Sequence, residues 1–256
     1  MKKVVFSFDD GRLDTYTKAY AILKKYGMPF TLNVCTDFIK HQENYTCFKS
    51  AGNKSVSIEN LLEMQENGVE IASHGHLHLN TKDDILNSIA ALEQMGINVE
   101  NVGFASPNSG LTYDNAQDVL PLVESGIISY IRSGIQVRRE GLLYSLLTYL
   151  ERKTHSVKLF RYLNKKNVIT DEKAPILMSV AVLNCTTVKQ IVSFIDKMSG
   201  GESVIFMLHS VIDKNDIGYG SDSWYFDAEK FNELCELLSK RKDVLICTTR
   251  DLVSDK

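Results

Sequence analysis

Hydrophobic positions along the chain fall into short unbroken runs, separated by stretches where an apolar residue recurs every third or fourth place. Residues 3–8 (Lys-Val-Val-Phe-Ser-Phe) read as a buried strand, and 14–26 as a helix with Ala19, Ile22, Leu23 and Tyr26 on one face. Gly27 closes that helix, and Pro29 leads into a strand over 30–35. A polar loop runs through Lys54. After it comes a helix that Ser57 can cap and that closes near Gly68. Strand 69–73, helix 83–95, strand 102–105, helix 114–125 and strand 127–132 continue the alternation, with Pro121 predicting a kink or break in its helix. Helix 188–198, strand 203–209, helix 228–240 and strand 244–248 complete it. Strands separated by helices of this length predict βαβ units and a parallel sheet. The number of units predicts an α/β fold, a distorted (β/α) barrel with seven or so mainly parallel strands, as a single domain over residues 1–256.

One stretch breaks the rhythm. Residues 141–167 have helical period and carry Leu142, Leu143, Leu146, Leu147 and Leu150 beside Arg152, Lys153, Lys158, Arg161, Lys165 and Lys166. This reads as a helical insertion at about 141–170. Either its leucines pack onto the barrel and leave a solvated basic face, or it binds a membrane surface or an acidic substrate.

Composition narrows the classes. With 256 residues, 44% hydrophobic and 24% charged, the chain can bury a core without staples and is not disordered. A net charge of −3 gives no reason to expect nucleic acid as a partner. No run of about 18 uncharged apolar residues is present, which speaks against integral membrane association. The first ten residues lack the apolar stretch of a secretory signal, and the five cysteines (Cys35, Cys47, Cys185, Cys235, Cys247) are odd in number and scattered. Reduced core thiols and a cytoplasmic location are the expectation. The sequence sets no oligomeric state.

Three polar clusters close predicted strands. In Ser7-Phe8-Asp9-Asp10-Gly11, two adjacent carboxylates end a buried strand; they can face a barrel mouth, or one can cap the next helix. In 73–78, a helical turn puts His74 and His78 on one face and an extended strand aligns His74, His76 and His78, so His74 and His78 come together either way; His76 is expected outside the pair. Two imidazoles and one carboxylate suit zinc or a similar divalent ion and leave positions open. The third cluster is His209 after the apolar run 205–208, a lone histidine at a strand's C-terminal end.

In this order the motifs resemble those of the polysaccharide deacetylase family of carbohydrate esterases. That family's pattern is T/S-F-D-D-G, H-S/T-x-x-H, R/A-x-P-x-G and L-x-H or close variants, here 7–11, His74 to His78, 104–110 and Leu208-His209. Residues 21–31 and 126–134 also look like family segments. The resemblance implies a metal-dependent hydrolase that removes acetyl groups from N- or O-acetylated sugars. It implies one divalent ion, zinc foremost, on Asp10, His74 and His78. Asp9 would be the general base on the attacking water, His209 the acid, and a backbone N–H near Pro107 and Asn108 would receive the oxyanion. Leu208 and Trp224 would line the substrate; Trp224 could equally be a partly buried anchor. Gly75 departs from the family's Ser or Thr, Ala105 stands where many members have an arginine, and 176–184 lacks the acidic residue many members place near the acid histidine. Arg132, at the end of strand 127–132, is the expected substitute partner for Asp9, or else a surface residue. A cytoplasmic enzyme would meet an oligosaccharide or an activated glycan precursor. Two alternatives stay open: a metal-containing glycan-binding barrel without turnover, and a hydrolase of non-sugar amides.

Overall fold

The computed structural model describes residues 1–46, 48–136 and 140–254. Seven parallel strands close on themselves: β1 (Lys2–Phe8), β2 (Thr31–Val34), β3 (Glu70–Ser73), β4 (Phe104–Ala105), β5 (Ile131–Gly134), β6 (Ile176–Ala181) and β7 (Ser203–Leu208), with β7 returning to β1. The predicted distorted (β/α) barrel is therefore the fold. Helices that follow the strands include α1 (Ala21–Lys25), α2 (Thr36–Lys40), α3 (Ile58–Glu66), α4 (Lys82–Gln94) and α5 (Leu120–Glu124). The second half adds α6 (Leu142–Thr154), α7 (Val157–Asn164), α8 (Val188–Asp196), α9 (Ala228–Ser239) and α10 (Thr249–Val253). A small parallel pair, β8 (Ser210–Ile212) and β9 (Tyr225–Asp227), follows β7, and β10 (Val244–Ile246) precedes α10.

The barrel is distorted at β1. One edge pairs with β7 from Lys3 to Phe8; the other pairs with β10 over Lys2–Val4 and with β2 only at Ser7 and Phe8. Thus β10 wedges between β1 and β2 at their N-terminal ends, where Thr249 on α10 bonds Thr31 on β2.

Strand parity decides what reaches the interior. Successive side chains of a strand point to opposite faces. Val4, Phe6 and Phe8 join the large apolar cluster with Phe231 of α9, whereas Val5 packs with Leu177, Ile205 and Cys247 in a smaller one. Ser7 and Asp9 continue the inward set. On β2, Leu32 and Val34 join the outer cluster and Thr31 and Asn33 turn inward; on β7, Val204, Phe206 and Leu208 join it, and His209 stands on the inward side.

Several expected boundaries move. The helix expected at 14–26 opens as a wide π-type turn, Thr15–Tyr20, before α1. The helix expected at 114–125 shrinks to α5, because Pro121 fits only a first turn. The strand expected at 127–132 lies at Ile131–Gly134, after an exposed Ile127. The insertion is two helices rather than one, broken at His155 in the left-handed conformation (φ 51°). Cys35, Cys235 and Cys247 are buried free thiols and Cys185 is half-buried, whereas Cys47 lies outside the described residues.

Candidate active site

The sequence-predicted polar residues converge at the C-terminal mouth of the barrel. Asp9 and Asp10 end β1 as that strand gives way to Gly11; both carboxylates are almost fully buried. Asp10 takes a left-handed backbone (φ 74°), as does Gly11 (φ 81°), and this reversal lets neighbouring residues address one cavity from different sides.

The two carboxylates have separate partners. Asp9 Oδ1 accepts from the Arg132 guanidinium and from Asn33 Nδ2 at 2.9 Å; Asp9 Oδ2 faces His209 Nε2 at 4.0 Å. Asp10 Oδ2 accepts from Arg12 Nε at 2.7 Å, while its Oδ1 lies 3.5 Å from both His74 Nε2 and His78 Nε2. Neither carboxylate caps a helix, so the capping reading falls. Burial opposes ionisation of both. Arg132 with His74 and His209 outweighs it at Asp9, lowering that carboxyl below its usual range; Arg12 and the two imidazoles hold Asp10 well below.

Arg132 is buried, and its strand position explains its reach. Ala105 on β4 and Arg132 on β5 are register partners, so the neighbouring strand brings a guanidinium to the level where Ala105 has none. Ala105 has its own part: its carbonyl accepts from His74 Nδ1 at 2.8 Å, which leaves Nε2 facing Asp10.

The turn between the histidines is built around Asp84 of α4. Its carboxylate accepts from the N–H groups of Leu77 (2.8 Å) and Leu79 (3.0 Å), and His78 takes a left-handed backbone (φ 61°). Gly75 has φ 81°, and a Cβ there would lie 2.5 Å from Asp84 Oδ2. The departure from Ser or Thr at this place thus follows from the Asp84 clasp. His76 stays outside the group, bonded through Nδ1 to Thr36.

Donor atoms of Asp10, His74 and His78 all lie within 4.8 Å of one another, the one such group found among the described residues. Tetrahedral donors about 2.1 Å from a zinc-like ion stand roughly 3.4 Å apart, close to the two 3.5 Å separations here. Those separations are too long for hydrogen bonds. One carboxylate oxygen and two imidazole nitrogens, at least one aligned by a carbonyl, fit a divalent cation.

His209 is held differently. Burial is the main influence and pushes its pKa down to about 4; its Nδ1 meets no hydrogen-bond partner among the described residues. That orphan atom matches the absence of a carboxylate in 176–184. Trp224, 41% exposed, lies against the His209 ring with centroids 4.6 Å apart.

Among the expected substrate-lining residues, Leu208 is corrected: it is 1% exposed and belongs to the outer apolar cluster, because the residue before an inward histidine must point outward. Pro107 is buried in a tight turn, and Asn108 is exposed with φ 54°. Sequence reasoning missed Asn33 and Arg12. Asn33 was signalled by the polar–apolar alternation of 31–34. Arg12 had only its nearness to two carboxylates as a sign. It is buried, clamped by Ser50 (2.6 Å) and Ser210 (3.1 Å), and lies over the Phe48 ring.

A closed parallel barrel with one carboxylate and two imidazoles gathered as a candidate metal-binding group at its mouth is the class of protein these observations define. Within it, residues 1–120 match the family model of polysaccharide deacetylase, the family whose motifs the sequence resembles. A curated Bacillus subtilis protein, "Putative polysaccharide deacetylase YxkH", is 38% identical over 81 residues, which is 31% of this chain. The match spans only 25% of that relative's length. Among solved structures, a "putative polysaccharide deacetylase" from Mycobacterium smegmatis superposes with a TM-score of 0.58 at 14% identity, covering 99% of this chain and 89% of that one. The Xyl-CE4 domain of a multidomain xylanase, from the hindgut metagenome of Trinervitermes trinervoides, gives 0.51 at 15% identity, over 99% and 90%. These likenesses bear on the fold.

Proposed function

We propose that the protein is a divalent-metal-dependent hydrolase that releases acetate from N- or O-acetylated sugars, with an oligosaccharide or activated glycan precursor as substrate. The observation that carries this reading is the division of labour between adjacent carboxylates: Asp10 faces two imidazoles, and Asp9 faces a third beside a guanidinium. Names carried by the family and its relatives support the acetylated-sugar class.

In this reading Asp10, His74 and His78 hold the ion, zinc foremost; bound there, it would polarise the acyl oxygen and make water more acidic. The chain's own residues do the rest. Asp9, kept ionised, takes a proton from the attacking water through Oδ2, while Arg132 and Asn33 fix Oδ1. His209, neutral at rest, takes that proton over from Asp9 Oδ2, 4.0 Å from its Nε2, and passes it to the leaving group, which returns both side chains to their starting states. A backbone N–H near Asn108 stabilises the oxyanion, and Trp224 offers an apolar ring to the sugar while restraining the His209 imidazole.

The experiment is a panel measuring acetate from acetylated sugars and amine from simple amides, with Asp9→Asn as control. Acetate from sugars alone, reduced ~10²–10⁴-fold in the variant, supports the reading. Amine release from non-sugar amides would make it an amidase, and no turnover of any substrate would contradict catalysis.

A further inference from the structure

Helix α6 is built inside out. Leu142, Leu143, Leu146, Tyr149 and Leu150 share one side of it, at spacings of three and four, and are 91, 70, 53, 59 and 38% exposed. Its barrel side carries Thr148 and Glu151, the latter bonded to Gln190 on α8. An expectation that the leucines pack onto the barrel is thus reversed: the polar positions pack and the leucines face out.

Positive charge gathers on the same unit. Residues 142–167 contain six Lys or Arg and one carboxylate, Glu151, leaving 23 basic against 31 acidic side chains in the rest of the chain. Arg152, Lys153, Lys158, Arg161 and Lys165 make no ion pair with a described carboxylate; Lys166 pairs with Glu140. Between α7 and α8 a groove of about 320 Å³ is ringed by Lys158, Arg161, Lys165 and Lys197 over Phe194 and Met198.

We propose that the α6–α7 helix pair is a docking surface for an anionic lipid bilayer, with the leucines entering the acyl boundary and the cations meeting lipid phosphates. Charge complementarity selects this occupant. A soluble polyanion could use the lysines but leaves the leucines wet. A second copy placed face to face would bring two basic surfaces together. A bilayer carrying anionic lipid satisfies both features, in the manner of helices lying in the interface plane. This inference does not rest on the catalytic reading.

The test is sedimentation of the full chain with vesicles of phosphatidylcholine containing phosphatidylglycerol, against vesicles of phosphatidylcholine alone. The protein should pellet with the first, hardly with the second, and be released as salt rises. Leu143→Ser/Leu146→Ser should abolish pelleting, and Lys158→Ala/Lys165→Ala should weaken it about fivefold for each cation removed. None of the four positions is among the residues assigned to the site, so melting temperature and turnover of a soluble substrate should match the parent. Three results would overturn the proposal: no binding to anionic vesicles, binding that survives the serine variant, or a leucine-dependent dimer that ignores vesicles.

Discussion

Arg12 and Arg132 each take one of two neighbouring carboxylates, and this pairing keeps both anionic in a nearly dry site. Arg132→Ala should leave the ion in place, since the guanidinium touches none of Asp10, His74 or His78 in the described contacts, yet lower turnover on the order of 10²-fold by loosening Asp9. Adding Ala105→Arg at the register partner should restore part of the loss; acetate assays with metal analysis check both. Asp14 gives a prediction of the opposite sign. Burial raises its carboxyl to about 7, the Val211 N–H and Arg12 only partly opposing it, and its Oδ2 meets no partner among the described residues. The raised value means that Asp14 favours the folded state most below the unfolded value near 4 and loses that contribution as pH rises through about 7. Asp14→Asn should therefore gain denaturant resistance over the parent at pH 8 but not at pH 4, with the Val211 bond kept. At this scale the sequence already displays Asp9, Asp10, His74, His78 and His209, because adjacent carboxylates and closely spaced histidines stand out at strand ends. Arg12 was hidden, since its part depends on which way the side chain turns once the barrel closes, and Asn33 showed only as a polar position in an alternating strand.

The turn from β3 into α4 shows how one element sets the geometry of the site. Asp84, in the first turn of α4, gathers two backbone N–H groups of the segment carrying His78, and the space it fills forces glycine at 75. Asp84→Ala should leave those donors unpaired, cost about 1–3 kcal/mol of stability, and weaken ion affinity about 10–100-fold by freeing His78. Isothermal titration with Zn²⁺ beside a thermal melt separates the two effects. By contrast, Ser57→Ala at the capping box of α3 should cost about 1 kcal/mol and leave ion affinity unchanged. Caps of this kind make helix starts readable: α3 begins where Ser57 predicts, and α4 one residue from its expected start. Other elements had no such mark. β6 was not read as a strand because Ile176–Ala181 mixes Met and Ser into its apolar run, and its pairing with β5 and β7 supplies what local pattern does not. The break between α6 and α7 falls on a left-handed His155, with neither Gly nor Pro to announce it.

Over the whole molecule, barrel closure turns scattered motifs into a site. β1 pairs along one edge with β7 and along the other, at Ser7 and Phe8, with β2, so Asp9 and Asp10 at its end stand beside β2 and the chain-distant β7. The alternation of strands and helices predicted this architecture; the wedge of β10 at the base, which distorts it, has no local sequence mark. No helix among the described residues is long and apolar enough to cross a bilayer. The central claim is that acetyl release depends on one ion held by Asp10, His74 and His78. Its most direct test follows acetate released from an N-acetylated oligosaccharide by chelator-treated protein as a divalent ion is added back. Activity should be absent without the ion, rise with each addition and saturate at one equivalent per chain. Equal acetate release with and without the ion would contradict the account.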